Sequence, residues 1–185
     1  MKLLVAALAS ELSAFPDHVP GYERLVTGPG KIKAAYSLTR ALDAGDYDEV
    51  LVVGTAGAID QEIAPGVHSI DRAFQYDVID DNGVAGHHVS MPQSLTLGDG
   101  DVVIATGDSF VDDADTVRAI HALGGHLVDM EAYVYTWVAQ QFGVPIRIWK
   151  AVSDTAQDGA NQTWEVTVAA CSRDLWARLQ AELDA

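Results

Sequence analysis

Five short stretches carry the residues able to do chemistry. Glu11 stands in Ala7-Leu8-Ala9-Ser10-Glu11-Leu12, Asp129 and Glu131 stand in Val128-Asp129-Met130-Glu131-Ala132, and Asp154 closes Ala151-Val152-Ser153-Asp154. A carboxyl held protonated can give a proton to a departing group, and one held ionised can take a proton from water. Such a set is therefore the raw material of general acid–base chemistry. Gly54-Thr55-Ala56-Gly57 and Gly107-Asp108-Ser109-Phe110-Val111 add backbone N–H groups, hydroxyls and one aromatic ring. Taken singly, each has a plainer explanation. A lone Glu11 is a solvated side chain or a helix cap, Glu131 complements the dipole of a helix start, Ser153-Asp154 caps a loop, and Phe110 is core. The glycine motif alone is a nonspecific turn. Only their joint occurrence in order carries weight.

The elements that must position these residues follow from apolar runs and glycine punctuation. Residues 3–8, 22–27, 49–54, 101–106 and 146–152 read as strands, with 49–54 apolar enough to be buried on both faces. Residues 67–78 and 86–91 read as shorter, antiparallel strands around the turn Asp81-Asn82-Gly83. Helical spacing appears after Gly28-Pro29-Gly30 through residue 42, over 114–123, from Met130 to about Phe142, and over about 161–183. Three strands lead into helices, so the expected fold is α/β: a central mixed, twisted sheet flanked by helices. No repeat or linker divides residues 1–185, which read as a single domain. Open α/β sheets bind their ligands at the carboxyl ends of strands. Four of the five stretches are expected at such ends, and the one around Glu131 where a strand passes into a helix.

The composition narrows the function. With 27 acidic against 11 basic residues and a net charge of -16, the chain repels phosphate backbones and anionic membranes, which argues against nucleic acid and membrane partners. The opening residues read as a buried first strand rather than a signal peptide, because Glu11 follows too soon. No apolar run approaches the roughly 20 residues that span a bilayer. A single cysteine, Cys171, fits a reducing, cytoplasmic setting. Of six histidines, the adjacent His87 and His88 would point to opposite faces of a strand, so no metal site is expected. Trp137, Trp149, Trp164 and Trp176 read as core or interface, with Trp164 alternatively shielding a pocket beside Asp154.

With these motifs and Gly28-Pro29-Gly30-Lys31-Ile32-Lys33-Ala34-Ala35 set in order, the chain resembles the nucleoside phosphorylase and nucleosidase superfamily. It is most similar to the 5'-methylthioadenosine/S-adenosylhomocysteine nucleosidase branch. The resemblance implies cleavage of a purine nucleoside's N-glycosidic bond with no cofactor. Asp154 is similar to the family acid that protonates the base, and Glu11 to the carboxylate that activates water. Glu131 matches the residue that grips the ribose hydroxyls, with Met130 against the sugar. Phe110 would stack on the base and the Val111 main chain would bond its edge. Leu8, Thr55, Ala56, Gly57, Asp129 and Ser153 complete the expected binding set. The family resemblance also implies a homodimer.

Phosphorylases of this superfamily carry an arginine in the strand before the glycine turn. Here that strand is Val50-Leu51-Val52-Val53, and no arginine precedes Arg24, so water is the expected nucleophile. Lys150 stands where many relatives have an arginine and is expected to contact the substrate with a point charge rather than a fork. The chain is short for the branch between Asp77 and Asp101, a region that in relatives walls the 5' substituent. From the resemblance, the substrate expected is 5'-methylthioadenosine or S-adenosylhomocysteine. A nucleosidase for another purine compound of the futalosine type, a phosphorylase recruiting Lys150, and a non-catalytic nucleoside-binding protein are the alternatives.

Overall fold

Alternating burial sets the sheet. In strand β1 (Lys2–Ala6), Leu3 and Val5 enter one apolar cluster while Leu4 and Ala6 enter another on the opposite face. Strand β3 (Glu49–Ala58) does the same, with Val50 and Val52 against Leu51 and Val53. A strand wrapped on both faces stabilises the sheet through roughly 1.5–3 kcal/mol for each fully buried large aliphatic side chain. The computed structural model describes residues 1–156 and 160–185.

Strand β2 (Tyr22–Val26) pairs parallel to β1, which pairs parallel to β3, which pairs parallel to β8 (Ile146–Asp154). The far half of the sheet holds β4 (Val67–Gln75), β5 (Ser94–Thr96), β6 (Val102–Thr106) and β7 (Leu127–Asp129). Helices α1 (Lys31–Ala44) and α3 (Ala132–Phe142) lie against the first cluster, α1 burying Ala34, Leu38 and Leu42 at helical spacing. Helix α4 (Ala160–Leu183) covers the second through Cys171, Leu175 and Leu179, and α2 (Ala114–Ala122) packs Ile120 on a third. The fold is α/β with a mixed sheet flanked by helices, as the sequence implies.

Several details depart from the sequence reading. The sheet closes on itself: β3 pairs with β8, β8 with β4, β4 with β6, β6 with β7, and β7 returns antiparallel to the end of β3. A register shift between Ala56 and Gly57 accompanies the turn of β3 towards β7. Gly54-Thr55-Ala56-Gly57 is thus inside β3, not beyond it. Residues 86–91 form no strand, because their backbone donors find local acceptors. His87 N bonds Val84 O, and both Ser90 N and Met91 N bond His88 Nδ1. The antiparallel neighbour of β4 on that side is β5. Strand β1 stops at Ala6, and a 3-10 turn over Ala9–Leu12 follows. His87 faces Asp80 and Gln93 while His88 serves the backbone, so the adjacent pair has separate partners.

Candidate active site

All five chemistry-bearing stretches reach one cavity of about 200 Å³. Leu8 and Glu11 enter from the 3-10 turn, Thr55, Ala56 and Gly57 from β3, and Ser153 and Asp154 from the end of β8. Asp129, Met130 and Glu131 enter from the junction of β7 and α3, and Phe110 and Val111 from the loop after β6. Phe110 is 42% exposed, so its ring sits at the cavity rim and is not core. The sequence reading left out Ala7, Pro29, Ser109 and Val128, which also line the wall. All four belong to motifs already singled out from the sequence, beside or near the residues expected in the site. Trp164 lines the cavity as well, which favours shielding over core packing.

The local backbone explains why each acid is held. Glu11 is 4% exposed. Its Oε1 accepts from Thr55 N at 2.8 Å and Thr55 Oγ1 at 2.9 Å, and its Oε2 from Leu8 N at 3.0 Å. Glu131 accepts from Gly30 N at 2.7 Å, so the Gly-Pro-Gly turn before α1 orients it. Asp154 accepts from Ala156 N at 2.8 Å and from Ser153 Oγ at 2.7 Å. Asp129 accepts from Thr106 Oγ1, Ala132 N and Lys150 Nζ, so its carboxylate is largely occupied by the protein itself.

Two glycines are dictated by these acids. A Cβ on Gly54 would lie 3.0 Å from Glu11 Oε1 and 3.2 Å from Lys150 Nζ, and one on Gly57 would lie 2.9 Å from Asp154 Oδ1. The bare backbone lets both carboxylates lie against β3. The groups that approach these glycines belong to the chain itself.

Lys150 departs from expectation. It is 2% exposed, does not line the cavity, and its Nζ lies 2.9 Å from Asp129 Oδ2. Burial alone would lower its pKa, but Asp129, Glu131 and Glu11 outweigh that and hold it raised, hence charged. A cation at this depth with acids on several sides neutralises the cluster from behind and has no open face for a substrate. A sequence pattern cannot show this, because which side of β8 faces the cavity depends on the strands paired to it.

Burial, and then the neighbouring Asp129, push Glu131 up to about 7, with Lys150 pulling the other way. The folded protein thus binds a proton that the unfolded chain has lost above about 4.5, the ordinary value. This contribution to stability is complete below the unfolded pKa and disappears as pH rises through about 7. Thermal melts of the ligand-free protein should fall in this window, and Glu131→Gln should flatten the fall and melt no lower than the unaltered protein at pH about 8. Equal pH slopes for the two proteins would contradict the assignment.

Among the described residues, no group of three or more His, Cys, Asp or Glu side chains is placed to hold a metal ion, and no helix is long and apolar enough to cross a membrane.

Known proteins share this arrangement of elements. The family model described as "Phosphorylase superfamily" matches residues 100–184. A relative from Marinomonas sp. (strain MWYL1), a 5'-methylthioadenosine/S-adenosylhomocysteine nucleosidase, is 32% identical over 76% of this chain and 71% of its own length. A solved structure of the nucleosidase of that name from Helicobacter pylori, with butyl-thio-DADMe-Immucillin-A, superposes with a TM-score of 0.88 at 18% identity, covering 99% of this chain and 97% of the other. A futalosine hydrolase mutant of the same organism, strain 26695, also gives 0.88 at 18% identity, covering 99% and 98%. At that identity both structures speak for the fold.

Proposed function

The chain belongs to the 5'-methylthioadenosine/S-adenosylhomocysteine nucleosidase family of the phosphorylase superfamily, and from that premise we propose that it hydrolyses the N-glycosidic bond of a purine nucleoside. The observation that carries the proposal is the convergence of Glu11, Glu131 and Asp154 on one cavity. In the reaction, Glu11 takes a proton from water as the water oxygen bonds to the ribose anomeric carbon. The carbon–nitrogen bond breaks, its electron pair goes to the purine, and Asp154 delivers a proton to the base. Positive charge that develops on the sugar lies among carboxylates, which stabilise it. Glu131 accepts hydrogen bonds from the ribose hydroxyls, Met130 packs on the sugar, and Phe110 covers the base.

Water is favoured over phosphate by the charges. None of the described residues lining the cavity is Arg or Lys, and the nearby Lys150 is already paired with Asp129. A bound phosphate would meet carboxylates with no cationic fork to offset it. The substrates proposed are 5'-methylthioadenosine and S-adenosylhomocysteine, yielding adenine and the matching ribose derivative.

Chromatography of a nucleoside panel, with and without phosphate, tests the reading. Adenine should appear from both 5'-thio nucleosides at a rate indifferent to phosphate. Strict phosphate dependence would make the protein a phosphorylase, and preference for futalosine would move the substrate assignment. Calorimetry showing nucleoside bound but intact would make it a binding protein. The same family reading proposes a cytoplasmic homodimer. Ile32 and Tyr36, exposed one turn apart on α1, offer an apolar face for a second copy. Sedimentation showing only monomer would remove the dimer.

A further inference from the structure

Trp164 makes a contact that the reaction scheme leaves unused. Reaching from α4 to β3, its indole Nε1 donates to Thr55 Oγ1 at 2.8 Å. An indole N–H can only donate, and a threonine hydroxyl has one proton and two lone pairs. With one lone pair taken by Trp164, the Thr55 proton is directed to its other close neighbour, Glu11 Oε1, at 2.9 Å. Among the described residues, Glu11 then receives three donors, from Leu8 N, Thr55 N and Thr55 Oγ1. An ionised carboxylate offers about four acceptor positions, so about one is left. Since Glu11 borders the cavity, that position is available to a water beside the sugar.

We infer that Trp164 is a positioning residue for the reaction: through the Thr55 hydroxyl it fixes the orientation of Glu11 and the direction from which water loses its proton. The inference rests on the reading of Glu11 as the water-activating carboxylate. Burial alone does not demand the contact. Trp149 Nε1 is buried with no hydrogen-bond partner among the described residues, so this fold tolerates an unpaired indole. The Trp164 bond joins a partly exposed ring to the hydroxyl that, among the described residues, also holds Glu11.

A double-mutant cycle in the full chain separates positioning from wall-forming. Trp164→Phe keeps a ring and removes the donor. It should lower kcat about fivefold, the scale of one net hydrogen bond, with KM within about twofold. In a Thr55→Ala background the same change should leave kcat within about twofold, because the relay is already cut. Thr55→Ser retains the hydroxyl and should lose less of kcat than Thr55→Ala. If Trp164→Phe raises KM and spares kcat, or lowers kcat equally in both backgrounds, Trp164 only walls the cavity and the inference falls. An active Glu11→Gln protein would instead remove the reading underneath it. An inactive Glu11→Gln with a fully active Trp164→Phe removes the relay alone.

Discussion

Glu11→Gln is expected to lower kcat by about a thousandfold, since a positioned general base contributes roughly 10²–10⁴-fold. The amide is nearly the same size as the carboxylate but cannot take a proton from water. It also has one acceptor oxygen where two are used: Oε1 receives Thr55 N and Thr55 Oγ1, and Oε2 receives Leu8 N. Whichever way the amide turns, its NH₂ must face a backbone N–H, which leaves a buried donor unsatisfied at about 1–3 kcal/mol. The variant should therefore melt somewhat lower as well. Nucleoside binding measured by calorimetry should survive, because Glu11 acts on the water and not on the sugar hydroxyls. Turnover within tenfold of the unaltered protein, with binding intact, would exclude Glu11 as the base.

Asp154→Asn should cost a similar factor of about a thousand in kcat, with a different signature. Its two hydrogen-bond partners among the described residues tolerate the change. The Asn oxygen can still accept from Ala156 N, and Ser153 Oγ, a donor to Asp154 here, can accept from the new NH₂. Stability should hardly move, so lost activity reports chemistry. The proton from Asp154 matters only when the departing group needs one. A riboside with a nitrophenolate leaving group, already stable as an anion, should be cleaved by Asp154→Asn almost as fast as by the unaltered protein. The same compound should not rescue Glu11→Gln, where water activation is missing. If neither substrate is affected by Asp154→Asn, the proton comes from elsewhere.

Legibility in the sequence was uneven, and the pattern has physical causes. The strand at Glu49 was plain because a run apolar on both faces has few other places to be. Its end was not plain: Gly54 and Gly57 look like a turn, yet they stay in β3 because only glycine lets Glu11, Lys150 and Asp154 lie against that strand. Residues 86–91 show strand-like residues, but hydrogen bonds from Ser90 N and Met91 N to His88 take donors a ladder would need. Phe110 and Trp164 both had core as the plain reading, and both lie on the cavity wall.

The amino-acid order by itself determined most of the element types, the α/β class and which acids could act, since periodicity and side-chain chemistry are local properties. Only the tertiary structure decided that β3, β8, β4, β6 and β7 close into a ring, that Lys150 lies behind the acids paired with Asp129, and that an indole fixes the Thr55 hydroxyl. Each of these joins residues far apart in the chain. Which strand edges meet, and how deeply a charge is buried, follow from packing the whole molecule and leave no local pattern to read.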